Sequence, residues 1–332
     1  MVNVVSTFSG CGGSCLGYTR AGFKVLLASD FDAKAVKTYQ MNFPKTKIIK
    51  GNIREITGQS ILKMTNLKKG ELDIFDGSPP CTPFSMAGKR EQGWNKAYVH
   101  ASESTAQRSD DLFYEYIRLI KELNPKIFIG ENVRGLIGGK AKGYFNDILK
   151  NMKKLGYTVR VLDIDAQDFE VPQQRSRIIF VGIRKDQFKE WKPLITMPRI
   201  TVRQAISNLK HTKEEIKETF PTSEDNMTAK IMNVVKPGER ASKYHPKGHY
   251  FGHARLAWDQ PCPTILCHSS MLTHPKENRY LTLSEAKRLA SFPDSFKFLT
   301  RNDGFIRIGN SVPPNLMKNV SKWAVSCSKI SS

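Results

Sequence analysis

The sequence has no apolar run long enough to cross a bilayer, and too few acidic residues to balance its basic ones. Thirty-one Asp and Glu stand against 52 Lys and Arg in 332 residues, giving a formal charge of +21 and a pI near 9.7. An excess of this size favours a polyanionic partner. No amphipathic basic helix with apolar anchors accompanies it, so nucleic acid is favoured over a membrane, with a merely solubilising surface as the alternative. Cysteine is sparse: the six, at 11, 15, 81, 262, 267 and 327, show no disulfide-framework spacing. Neither Cys11 with Cys15 nor Cys262 with Cys267 has the two-residue gap of a zinc knuckle, and no His cluster completes a ligand set, so no metal is expected. The amino terminus lacks the segments of a signal peptide, which implies a reducing cytoplasm. Internal repeats and low-complexity tracts are also missing.

What is present is length and alternation. The chain can bury a large core, and its size suits two domains, or one domain with a substantial insertion. Its first half alternates strand and helix signals as a parallel, doubly wound sheet requires. Strands are expected at 2–8, 24–29, 47–50, 72–75, 126–130, 157–163 and 178–183, and helices at 14–21, 32–42, 111–123 and 144–155. Beyond about residue 184 the pattern gives way to Lys, His, Pro and short apolar runs, which reads as an inserted recognition module. Periodicity returns at 282–290, with Ser284 as the candidate helix cap, and a last helix is expected at 315–326. The expected division is therefore a catalytic domain at 1–188, a recognition domain at 189–276 and a returning segment at 277–332.

Four constellations carry chemistry. Cys81 follows Asp76-Gly77-Ser78-Pro79-Pro80 at the end of the apolar stretch 72–75, where an open α/β sheet collects ligands. A thiol placed there is a candidate nucleophile; a free core cysteine is the alternative. The glycine-rich turn after the first strand lets backbone N–H groups approach a ligand, and Asp30 closes the second strand where ribose hydroxyls would need an acceptor. The full dinucleotide fingerprint is missing, so a nucleoside such as S-adenosylmethionine fits better than NAD, and a plain tight turn remains open. Glu131-Asn132-Val133 follows the fifth strand and reaches the same sheet edge as Cys81. A buried carboxyl there would have raised proton affinity and could donate to a ring nitrogen, unless it only serves a helix dipole. Alternation sends Arg175 and Arg177 to one face, which suits a base oxygen and a phosphate, or simply an exposed edge strand.

In this order the chain resembles the DNA (cytosine-5)-methyltransferase family of bacterial or phage type. The matching residues are Phe8-Ser9-Gly10-x-Gly12-Gly13, Pro80-Cys81 with Phe84-Ser85, Glu131-Asn132-Val133, Gln173-x-Arg175-x-Arg177, Arg279-x-x-Thr282-x-x-Glu285 and Gly309-Asn310-Ser311-Val312. The stretch from Arg255 through Trp258-Asp259 to Pro263-Thr264-Ile265 is also similar to bacterial members. The resemblance covers almost the whole chain. It implies an α/β, Rossmann-like, S-adenosylmethionine-dependent methyltransferase domain with a small inserted target-recognition domain.

The resemblance further implies that Cys81 adds to carbon 6 of a flipped-out cytosine, which turns carbon 5 into an enamine carbon able to take the methyl group. Glu131 would contact ring nitrogen 3 and the amine, Arg177 would hold the carbonyl oxygen, and Arg175 would assist. The donor pocket would use Phe8, Ser9, Gly10, Gly12 and Gly13, with Asp30 on the ribose, Phe31 against adenine, and Asn310 and Val312 from the carboxyl end. Asn52-Ile53 stands where the family usually has Asp and an apolar residue; an amide oxygen can still accept from the adenine amine. Ser85, Lys89 and Arg90 in the long loop at 86–110 and Lys236, Arg240, Lys243, Tyr244 and Arg255 in the recognition module are the expected contacts to double-stranded DNA.

A monomer acting on DNA in a prokaryotic cytoplasm, without a membrane partner, is the expectation. Two rivals stay open: a branch of the same family that methylates transfer RNA, and a DNA-binding protein without catalysis.

Overall fold

The computed structural model describes residues 1–80, 98–99, 106–107, 112–220, 227–245, 248 and 252–331. Cys81, Ser85, Lys89 and Arg90 lie outside the described residues. The chain divides into two compact units, one made of Met1–Ile164, Ser176–Ile195 and Met317–Ser332, the other of Asp165–Arg175 and Thr196–Leu316. The second unit thus takes in residues 277–316, which the sequence reading returns to the first, and it also claims a short piece ahead of Arg177.

In the first unit the elements run β1 (Asn3–Thr7), α1 (Gly13–Arg20), β2 (Lys24–Asp30), α2 (Ala33–Asn42), β3 (Lys47–Lys50), α3 (Gly58–Thr65), β4 (Ile74–Gly77), β5 (Tyr98–Val99), β6 (Ala106–Gln107), α4 (Leu112–Leu123), β7 (Ile127–Val133), α5 (Lys142–Lys154), β8 (Tyr157–Asp165) and β9 (Ser176–Arg184). A seven-stranded sheet has the order β3-β2-β1-β4-β7-β9-β8. The first five strands pair in parallel. Strand β9 instead runs antiparallel to β7, so the sheet is mixed rather than wholly parallel. Continuous apolar runs such as Val4-Val5 and Ile178–Val181 are buried, as strands covered on both faces demand.

Chain order reverses between β1 and β4, and a switch point of this kind opens a crevice at the carboxyl ends of the strands. Beneath it lies α4, whose Leu112, Phe113, Tyr116, Ile117, Leu119, Ile120 and Leu123 form one buried stripe at helical spacing. The stripe packs into a core with Val5, Leu27, Phe75, Phe128 and Phe180. Asn124, in the left-handed region at φ 48°, ends the helix. The short helix α3 has no sequence counterpart; it is started by Thr57, whose side chain accepts from the Ser60 N–H.

The second unit holds α6 (Val202–Ile206), α7 (Lys213–Lys217), α8 (Met227–Val234), β10 (Ala254–Arg255), β11 (Leu272–Thr273), α9 (Leu283–Leu289) and α10 (Arg301–Asn310), and α11 (Pro314–Ser326) falls mostly in the first. Its sheet is two residues wide, so burial is organised by side chains instead. Arg279, 1% exposed, donates from both terminal nitrogens to Glu285, also 1% exposed, at 2.9 and 2.8 Å. The cap of α9 is Thr282 rather than Ser284: Thr282 and Glu285 form a reciprocal capping box, whereas the Ser284 N–H donates to Glu215 at 3.3 Å.

Candidate active site

The turn between β1 and α1 has the geometry of a ligand cradle. Phe8 and Gly10 both adopt left-handed φ, 52° and 55°, and a β-carbon at Gly10 would meet nothing within 4 Å. At Gly12, φ is 99° and a β-carbon would lie 2.4 Å from the Phe43 ring, so only glycine fits. Asp30 fixes the turn from β2: Oδ2 accepts from the Gly10 N–H at 2.8 Å and Oδ1 from the Asp32 N–H at 2.9 Å. A carboxylate anchored there as an acceptor suits ribose hydroxyls. An open turn next to an anchored acceptor fits a nucleoside.

Asn52 Oδ1 accepts from the Arg54 N–H at 3.1 Å, and Ile53 is buried. The residue that secures this segment, Arg118, is one that sequence reasoning passes over. It donates through Nη2 to the Ile53 and Ile56 carbonyls at 3.0 and 2.9 Å, and through its other nitrogens to Glu115 and Glu122. Glu115, Arg118 and Glu122 at helical spacing look like exposed surface pairs, which hides their hold on the segment.

On the other side of the switch point, β7 carries the candidate residue Glu131 and β4 leads towards Pro79. The Tyr116 ring covers both strands: a β-carbon would lie 2.6 Å from it at Gly77 and 3.2 Å at Gly130. Asn132 Nδ2 donates to the Pro79 carbonyl at 3.2 Å, which fixes the chain two residues ahead of Cys81. Glu131 sits within β7 and does not start a helix; Oε1 lies 2.7 Å from Arg177 Nε, both side chains largely buried. That N–H is not aimed along a hydrogen bond to any acceptor among the described residues, so the contact is a close ion pair, while Arg177 Nη1 donates to the Ser176 carbonyl.

Arg175 behaves differently from Arg177. It is buried in the second unit, where Nη2 donates to the Gly309 carbonyl at 2.7 Å and Nη1 to that of Ile265 at 3.4 Å. In that unit Asn310 Oδ1 accepts from the Cys267 thiol at 3.0 Å and Val312 is buried. Arg255 is also buried, donating to the Met232 and His274 carbonyls and to Asn278. The sequence reading sets it among DNA contacts; its guanidinium serves the interior. Lys236, Arg240 and Lys243 are exposed, and Glu239 binds both Lys243 and the Tyr244 hydroxyl.

Asp76, also unassigned from sequence, is 1% exposed and accepts from Ser6 Oγ at 2.6 Å and from the Tyr18 hydroxyl at 2.9 Å. Burial pushes its carboxyl up to about 7, against the pull of those two hydrogen bonds. Burial likewise lifts the Cys15 thiol to about 12, which leaves Cys15 inert.

Comparison with known proteins adds a family to this geometry. The profile described as C-5 cytosine-specific DNA methylase matches residues 2–325. The type II methyltransferase M.Sau96I of Staphylococcus aureus is 32% identical over 97% of this chain and 75% of its own length. M.NgoPII of Neisseria gonorrhoeae is 29% identical over 96% and 94%. Among solved structures, a prophage-encoded E. coli protein described as a DNA modification methyltransferase superposes with a TM-score of 0.77 at 23% identity, covering 98% of this chain and 99% of that one. A Spodoptera frugiperda DNMT2 variant gives 0.68 at 18% identity, covering 98% and 99%. The two structures show the fold, a Rossmann-like α/β sheet.

Proposed function

The chain belongs to the family of C-5 cytosine-specific DNA methylases and is a DNA (cytosine-5-)-methyltransferase; from that premise we propose how this chain performs the transfer. Its substrate is a cytosine swung out of double-stranded DNA, its donor is S-adenosylmethionine, and its nucleophile is Cys81. The observation that supports this reading is the Glu131–Arg177 pair beside the anchored Pro79, two residues before the cysteine.

The Cys81 thiolate adds to carbon 6 of the ring. Carbon 5 thereby becomes nucleophilic, takes the methyl group, loses its proton, and elimination releases the sulfur. Glu131 contacts ring nitrogen 3 and the exocyclic amine, and Arg177 holds the ring carbonyl oxygen and the charge that builds there. A base stacked in a duplex presents no ring face to a thiolate, so extrusion precedes attack and costs about a few kcal/mol. S-adenosylmethionine supplies an electrophilic methyl on a cationic sulfur. Phe8, Ser9, Gly10, Gly12 and Gly13 shape its cradle, Asp30 accepts from the ribose, and Phe31, Asn52 and Ile53 border the adenine.

Lys236, Arg240, Lys243 and Tyr244 face DNA, with phosphate neutralisation carried by the cations. Arg175 and Arg255 contribute by holding the framework of the second unit. The relatives carry the name type II methyltransferase, and we assign this chain the same role, as a monomer in a prokaryotic cytoplasm. Duplex DNA carrying 5-fluorocytosine tests the mechanism, because fluorine blocks elimination and should trap an adduct through Cys81. DNA and donor binding without an adduct would favour a catalytically silent binder, and methyl transfer to transfer RNA alone would reassign the substrate.

A further inference from the structure

Asp76 is a fully buried acid that no base among the described residues neutralises. The described residues place no Lys, Arg or His within ion-pair distance of it; its side chain is held only by the hydroxyls of Ser6 and Tyr18. Ser6 is the penultimate residue of β1 and Tyr18 lies on α1, so these two partners bracket the turn at 8–12. Thr7 Oγ1 also donates to the Asp76 carbonyl, at 3.2 Å. The carboxyl therefore underlies the proposed donor cradle.

The titratable groups around it are neutral or acidic: Tyr18 and Cys15 from α1, Tyr39 from α2, Tyr116 from α4 and Glu131 from β7. From β1 the carboxyl meets the Ser6 hydroxyl. Buried charges are normally paired, and an unpaired carboxyl avoids the cost by keeping its proton. The sulfur of the methyl donor is positive, whereas that of the product of methyl transfer is neutral. We propose that Asp76 is the counter-charge of the donor's sulfonium, releasing its proton to solvent when the cation binds and recovering one when the neutral thioether remains. The proposal rests on S-adenosylmethionine being the donor. The balance closes: a carboxylic acid becomes a carboxylate plus a solvent proton on binding, and the reverse follows once the methyl group has passed to carbon 5. With its carboxyl pushed up to about 7 by burial, Asp76 is poised for this exchange near neutrality.

Titration calorimetry in two buffers of different ionisation enthalpy tests it without turnover. S-adenosylmethionine should release about half a proton more than S-adenosylhomocysteine near pH 6.5 and bind about fivefold tighter at pH 8 than at pH 6 relative to it, if the cation makes Asp76 about ten times more acidic. In Asp76→Asn both differences should vanish. Equal proton release for the two ligands, or a difference that persists in Asp76→Asn, overturns the proposal. Should that variant fail to fold, Tyr18→Phe removes one hydrogen bond from the carboxylate and should move the donor-specific tightening to higher pH; an unmoved profile overturns the proposal as well. Failure of S-adenosylmethionine to bind would sink the donor assignment too, whereas binding without the difference sinks only this inference.

Discussion

Glu131 and Arg177 meet across an antiparallel strand pair, Oε1 2.7 Å from Nε, in a register where Val133 stands opposite Arg177. They are diagonal neighbours, a spacing that long side chains bridge. The pairing therefore follows from β9 running against β7.

Replacing either partner should slow chemistry more than it weakens DNA binding. Glu131→Gln should reduce the single-turnover rate by about 10²- to 10⁴-fold, the usual range for a positioned acid or base. Arg177→Lys keeps the charge and loses the planar fork, and should also be impaired. Quench-flow methyl transfer beside DNA affinity checks this; an unchanged rate would remove the pair from the reaction.

Asp76 should make stability fall as pH rises. Its folded value of about 7 exceeds the 3.8 of a free Asp, so between these values the unfolded chain has lost a proton that the folded chain keeps. The penalty grows from about pH 4 and levels off above about pH 7, at roughly 4 kcal/mol. Urea midpoints for wild type and Asp76→Asn at pH 5 and pH 8 should differ less at the lower pH than at the higher, with the variant the more stable at pH 8.

In the second unit, the Arg279–Glu285 pair is wholly buried and bidentate. Glu285→Ala leaves the guanidinium buried without its main partner and removes half the capping box, a loss of about 3–5 kcal/mol. Thr282→Ala should cost only about 1 kcal/mol. Thermal unfolding should rank the two variants in that order.

The exposed cations of the second unit predict a steep salt dependence of DNA binding. Arg240→Ala, if it removes one phosphate contact, should lower the slope of log K against log salt by about 0.9. Arg255→Ala should instead destabilise the unit, since Arg255 holds carbonyls in the interior. Fluorescence anisotropy over a salt series, beside a melting curve, separates the two effects.

The alternating half of the chain was the legible half. Strand 47–50 is found at its expected bounds, and Asp32 caps α2 by accepting from the Lys34 and Ala35 N–H groups. The mixed direction of the sheet was not legible, because apolar runs look alike in parallel and antiparallel strands. Arg255 and Arg175 sit in basic or polar segments, yet their guanidiniums satisfy carbonyls distant in sequence, which no local pattern reveals. Asp76 lies in the run that leads to Cys81, but its meaning depends on Ser6 and Tyr18 facing it. Ser284 and Thr282 are both plausible caps by residue type; Glu285, three residues after Thr282, decides between them.

The Tyr116 ring lies over Gly77 and Gly130 at once, and its hydroxyl donates to the Phe75 carbonyl at 3.2 Å. One aromatic plate thus covers two register partners, Gly77 and Gly130, on the directly paired strands that lead to Pro79 and to Glu131. A side chain at either glycine would press on the ring that also covers the other. A change of the ring itself would have to be matched on both strands together.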